Sequence, residues 1–253
     1  MIVKTGQRLL FFFPLSRQIH DEALFRRRLH ETAETEGKMN EHTVRTTILL
    51  VRHGECRGNV DGLFRGRVDF PLNETGLLQA EEVAGALASY RPEAVFSSPL
   101  LRALQTAESI TAASSSHLFI EDGFNNICLG TWEGRPKKEI AALFPEMWRT
   151  WLENPEALSV EGAESLNDVL VRSKKSLDRI VAEYQGKTVV AVTHRTVVKP
   201  LLAGCLGIPS PYFWKTHMDT AAYSVLHFDD LHGYSLFCLN QTNHLSRFTT
   251  EWI

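Results

Sequence analysis

Two short apolar runs constrain this chain more than any other feature. Ile48-Leu49-Leu50-Val51 and Thr188-Val189-Val190-Ala191-Val192 are continuous rather than alternating, the pattern of strands covered on both faces. Such strands belong to parallel sheets, whose crossover connections lay helices against them. Ala94-Val95-Phe96 is a third buried strand and His117-Leu118-Phe119-Ile120 reads as a fourth. Between them the period changes. Residues 75–89 carry Leu77, Leu78, Val83, Ala84 and Leu87 in helical spacing after Asn73-Glu74-Thr75-Gly76, and 100–112 form a second helix. Two or three helices fill 136–184, the last from about Ser165, and another runs from about Val197 to Leu206. Residues 221–228 and 234–239 alternate enough for strands joined by Asp229-Asp230-Leu231-His232-Gly233. The expected fold is α/β: a three-layer sandwich with a mainly parallel central sheet and helices on both faces.

The remaining features bound the organisation and the partners. At 253 residues the chain can build a full core without stapling. Cys56, Cys128, Cys205 and Cys238 form no CxxC pair, so they read as reduced thiols in a cytoplasmic protein. Leu9-Leu10-Phe11-Phe12-Phe13-Pro14-Leu15 is too short, and too poor in small residues afterwards, for a signal peptide. No apolar run reaches membrane-spanning length. The first 46 residues hold eight basic and six acidic side chains, with a charged helix expected over 17–35. Residues 1–45 are therefore expected to be an extension, helical or disordered, and 46–253 the domain. The formal net charge is -3, which argues against nucleic acid as partner, since phosphate-backbone binding needs a basic face. A membrane partner is not expected either, and a homodimer stays open.

Ligands of such folds bind beyond the carboxyl ends of the strands. The first strand ends in Val51 and is followed at once by Arg52-His53-Gly54-Glu55. The strand 188–192 is followed by Thr193-His194-Arg195, and Ala94-Val95-Phe96 leads through Ser97-Ser98-Pro99 to Arg102. Three strand ends thus bring two histidines and at least two arginines together. A lone histidine at a strand end is commonly structural, but this convergence suits a tetrahedral dianion. Arginine offers bidentate donors to phosphate oxygens, and a neutral imidazole can attack phosphorus.

Taken with its flanking motifs, the chain resembles the histidine phosphatase superfamily, also called phosphoglycerate-mutase-like. The matching residues are Val51-Arg52-His53-Gly54-Glu55 with Asn59, Arg65-Gly66-Arg67-Val68-Asp69-Phe70-Pro71-Leu72-Asn73-Glu74-Thr75-Gly76, and Gln79-Ala80. They continue in Ser97-Ser98-Pro99-Leu100-Leu101-Arg102-Ala103, Gln105-Thr106-Ala107, Leu129-Gly130-Thr131-Trp132-Glu133-Gly134, Glu161-Gly162-Ala163-Glu164-Ser165 and Val192-Thr193-His194. The resemblance spans about residues 46–240. It implies that His53 is the nucleophile and that Arg52, Arg102 and His194 hold the phosphoryl oxygens. Asn59 would add a hydrogen bond, and Arg65 and Gly66 would border the pocket. It implies no metal and no organic cofactor, and a small phosphorylated metabolite as substrate.

Two departures from the family pattern stand out. The usual general-acid glutamate falls on Asn126, and an amide cannot donate a proton to a leaving oxygen. Three accounts stay open: Asp122, Glu133 or Glu164 acts from a shifted position; the leaving group needs little help; or the protein binds a phosphate ester with little or no turnover. The second departure is Arg195, where a small glycine is common, with Arg65 where glutamine is frequent. These arginines are either solvated or read a second anionic group on the substrate. The segment from Gly134 to Glu161 is short, with Trp148 and Trp151 expected between two helices. A short lid leaves a phosphohistidine open to water, so a metal-independent phosphatase is expected ahead of a phosphoglycerate-type mutase.

Overall fold

The apolar run at 48–51 is the middle of strand β1 (Thr46–Arg52), and Ile48, Leu49, Leu50 and Val51 are all completely buried. A computed structural model describes residues 44–247 and Glu251. The first 43 residues, with the helix expected over 17–35, lie outside the described residues.

Among the described residues six strands form one sheet in the order β3-β2-β4-β1-β5-β6. They are β1, β2 (Ala94–Ser97), β3 (His117–Ile120), β4 (Thr188–Thr193), β5 (Tyr223–Asp229) and β6 (Gly233–Gln241). The pairs β1–β4, β4–β2 and β2–β3 are parallel, whereas β5 and β6 add an antiparallel edge. Seven α-helices accompany the sheet among the described residues: α1 (Arg57–Val60), α2 (Glu74–Ala88), α3 (Leu101–Ser114), α4 (Lys137–Leu143), α5 (Pro145–Glu153), α6 (Leu166–Glu183) and α7 (Arg195–Leu206).

Alternate residues of the central strands face opposite layers. Ile48, Leu50, Phe96 and Ala191 pack with Leu177 and Ile180 of α6 and with Val198 and Leu201 of α7. Leu49, Val51, Val95, Val190 and Val192 pack with Val83 and Leu87 of α2 and with Ala103, Ala107 and Ile110 of α3. Helices on both faces explain why the strands are apolar at every position. Local chemistry fixes the helix starts. Asn73 Oδ1 accepts from Gly76 N at 2.8 Å ahead of α2. Ser165 and Asp168 cap α6 reciprocally, each side chain bonding the other's backbone amide.

The expected elements appear with ends shifted by a few residues. The four-residue α1 is additional, being too short to carry a helical period. Trp148 and Trp151 both lie on α5 and share one apolar cluster with Ile140 of α4. Trp151 meets Phe64, Phe213 and Trp214, and Trp148 meets the edge of Phe64. This aromatic cluster fastens α5 beside the carboxyl ends of the strands.

Candidate active site

The register of the sheet sets the spacing of the two histidines. Arg52 of β1 pairs with Thr193 of β4, so His53 and His194 leave adjacent parallel strands side by side. Their ring centroids are 5.1 Å apart, close to the spacing of neighbouring strands, about 4.8 Å. His53 Nδ1 lies 2.6 Å from the Gly54 carbonyl oxygen. It therefore carries the proton and leaves the Nε2 lone pair for chemistry. Burial, reinforced by Arg102 and Arg52, pushes the His53 pKa well below its ordinary value. The imidazole is neutral at neutral pH, the form that can attack phosphorus. His194 is held by Ser98 Oγ at 2.8 Å from its Nε2, and it is likewise shifted down by burial and Arg102.

The loop bearing His53 is clamped by residues whose spacing looked only motif-like in sequence. Gln79 Oε1 accepts from Glu55 N at 2.8 Å, and Asn73 Nδ2 donates to Glu55 Oε1 at 2.9 Å. Thr106 Oγ1 accepts from Gly54 N at 3.1 Å. The loop presses so closely on α2 that a Cβ on Gly76 would sit 1.9 Å from the Glu55 carbonyl oxygen.

Arg52 is fully buried and donates to Met218 O at 2.6 Å. Arg102 donates to the carbonyls of Val68 and Gly66, both at 2.9 Å, so it braces the 65–69 loop. Burial lowers it to about 10. The Nε atoms of Arg52, Arg102 and Arg195 and Nδ1 of His194 are buried without a hydrogen-bond partner. Desolvated donors at one site stay available for an anion. Asn59 Oδ1 is fixed by Cys56, whose N and Sγ both lie 3.0 Å away, and this turns the Nδ2 donor outward. Cys56 is thus a packed positioning side chain.

Sequence reasoning missed one contact that organises the whole rim. The carboxylate of Glu251 occupies this cationic cradle. It accepts from Arg52 Nη2, from Asn59 Nδ2 at 2.9 Å and from Arg65 Nη1 at 3.0 Å. Lys137 Nζ lies 4.0 Å away, and Arg195 Nη1 donates to the Glu251 backbone carbonyl at 2.9 Å. Burial would raise the Glu251 carboxyl, but Arg52, Arg65 and Arg195 overcome it and hold the group well below the usual range. Of the two readings left open for Arg195, solvation is excluded: it is 5% exposed, and burial lowers it to about 9. Lys137, which the sequence did not single out, is lowered by burial to about 8.

The three carboxylates considered as shifted acids stand apart. Asp122 is exposed in a short turn. Glu133 Oε1 accepts from the amides of Arg67 and Leu129, both at 3.0 Å. Glu164 is bonded to Arg172 and to the Cys128 amide. None of the three lines the cleft, whereas Asn126, Arg65, Gly66, Lys137 and Arg195 do, beside His53 and His194. No group of three or more His, Cys, Asp or Glu side chains suited to a metal occurs among the described residues.

Residues 48–241 match the family profile of the histidine phosphatase superfamily, branch 1. The chain belongs to the histidine phosphatase superfamily. It is 34% identical over 204 residues to phosphoserine phosphatase 1 of Hydrogenobacter thermophilus, covering 81% of this chain and 96% of that one. Among solved structures it resembles Bacillus stearothermophilus YhfR with a TM-score of 0.76 and 28% identity, covering 79% and 99% of the two chains. It also resembles a mycobacterial glucosyl-3-phosphoglycerate phosphatase complexed with VO3, with a TM-score of 0.72 and 27% identity over 78% and 99%. As a phosphatase of this superfamily, the chain has its helices and sheet where the expected sandwich requires them. No helix among the described residues is long and apolar enough to cross a membrane.

Proposed function

We propose that the protein is a metal-independent phosphatase that hydrolyses a small phosphomonoester bearing a second anionic group, through a phosphohistidine on His53. The observation that carries this reading is the neutral His53 ring, with Nδ1 tied to Gly54, beside a cradle of cations that already holds a carboxylate. In the reaction His53 Nε2 forms the bond to phosphorus while the ester oxygen departs with the electron pair of the broken P–O bond. Arg52, Arg102, Asn59 and His194 bind the equatorial oxygens, where most transition-state charge resides. Water then attacks the phosphohistidine, releasing phosphate and restoring the neutral ring.

Arg65, Lys137 and Arg195 support a substrate with a further negative charge, because they ring the same cleft and are too buried to be solvated at little cost. Phosphoserine and glucosyl-3-phosphoglycerate, which appear in the names of relatives, both pair a phosphate with a carboxylate. Asn126 favours a leaving group that needs little protonation, or slow turnover of one that does. Hydrolysis is favoured over mutase chemistry by the connection after Gly134. It holds only α4, α5 and a 3-10 turn before Glu161, and so leaves water a path. The four free cysteines suit a cytoplasmic setting.

The test is a panel of phosphorylated metabolites assayed in excess EDTA, with acid-labile phosphoprotein trapped on the millisecond timescale. The expected result is EDTA-resistant phosphate release and label lost in His53→Ala. Wild-type turnover in a folded His53→Ala variant would falsify the assignment.

A further inference from the structure

The Glu251 carboxylate is bound by the groups to which the proposed function assigns the substrate's phosphate. Arg52 Nη2 and Asn59 Nδ2 share its Oε2, and Arg65 reaches both oxygens. The side chain is 8% exposed, so this is a seated anion and not a surface ion pair. A carboxylate and a phosphoryl group present similar oxygen pairs to a guanidinium fork. Both cannot use Arg52 Nη2 and Asn59 Nδ2 at once.

The chain delivers Glu251 from close by. Gln79, which also holds the His53 loop, donates to the Arg247 carbonyl at 3.0 Å, and Glu82 accepts from Ser246 N at 3.1 Å. Leu245 packs with the core beside α2. Glu251 is four peptide steps from Arg247, a reach of about 14 Å when extended. A tether that short sets an effective concentration in the millimolar range or above.

We propose that Glu251 is an intramolecular competitor that occupies the phosphate cradle of the free enzyme and must leave before substrate binds. This rests on the reading of the cradle as a phosphate site. The consequence is quantitative. If the carboxylate fills the cradle nine-tenths of the time, the apparent affinity for any competing anion falls about tenfold.

The experiment measures inorganic phosphate binding to the full chain by calorimetry, in a buffer without other multivalent anions. Wild type is compared with Glu251→Gln and Glu251→Asp, together with KM for the best substrate of the panel. The expected result is phosphate binding about tenfold tighter in Glu251→Gln, an intermediate value in Glu251→Asp, and a KM lowered in step. Acetate should then inhibit Glu251→Gln at lower concentration than wild type, because the cradle has been vacated. Equal phosphate affinity in all three proteins overturns the competitor and leaves the phosphatase reading standing. Weaker binding in Glu251→Gln also overturns it, since the carboxylate would then assist ligands. Absence of phosphate binding in every protein overturns both.

Discussion

Thr196 Oγ1 lies 2.5 Å from Asn126 Oδ1, and the same amide donates from Nδ2 to the Gly66 carbonyl at 2.7 Å. The carbonyl accepts only, so it fixes which end of the amide is nitrogen, and Thr196 fixes the other. Asn126 is thus a clamped hydrogen-bond donor where acid catalysis would need a carboxyl.

Asn126→Glu should raise kcat for an alkyl phosphate, by as much as about 10²-fold. Facing the Gly66 carbonyl, the new carboxyl is held protonated, the form a general acid needs. The gain should nearly vanish with p-nitrophenyl phosphate, whose leaving group departs without a proton. Comparing the two substrates checks this, and an equal gain on both would refute a missing acid.

Ser98→Ala should leave the fold intact and lower kcat about tenfold, the equivalent of one hydrogen bond of about 1.4 kcal/mol. The hydroxyl touches His194 Nε2 and acts by positioning that ring. Ser98→Thr should restore part of the rate. Loss of thermal stability without loss of rate would contradict the positioning role.

Stability should fall as pH drops from 6 to 5. His53 and His194 are both shifted well down, burial being the main cause, while the unfolded chain titrates near 6.5. The unfolded state binds more protons in this window, so each imidazole removes up to about 1.4 kcal/mol per pH unit. Lys199, lowered by burial to about 7, is largely charged in both states there. Glu251, shifted down, loses its own stabilising effect only below about pH 4.5. Urea midpoints at pH 6, 5.5 and 5 measure the slope; a flat series would mean that the folded protein takes up the protons.

Gly76→Ala should be severely destabilising, by about 3 kcal/mol or more. The added methyl meets backbone atoms of Glu55 that cannot swing away. Gly85→Ala on the same helix meets nothing within 4 Å and should stabilise by up to about 1 kcal/mol. Paired thermal melts check both.

What could be read from the sequence follows the range of the interactions. The continuous runs of β1 and β4 disclose a doubly covered sheet because burial on both faces removes alternation. The same rule places His53 and His194 at neighbouring strand ends. Arg195 was ambiguous because burial, not residue type, decides whether an arginine is solvated. Glu133 and Glu164 looked like acids, yet backbone amides and Arg172 engage them, and no local pattern encodes that capture. Lys137 reads as an ordinary first helical residue. Glu251 was least legible, since 199 positions separate it from Arg52 and nothing near either end announces the pairing.

The pairing of Arg52 with Thr193 separates the two imidazoles from the loops that rim the cleft. The distance between the two imidazoles is set by ladder hydrogen bonds at the centre of the sheet. The residues that would recognise the rest of a substrate sit on 63–67, 126–137 and the start of α7. Exchanging those rim segments should therefore redirect the enzyme to new metabolites while the two imidazoles stay in place, which makes this scaffold a ready host for altered selectivity.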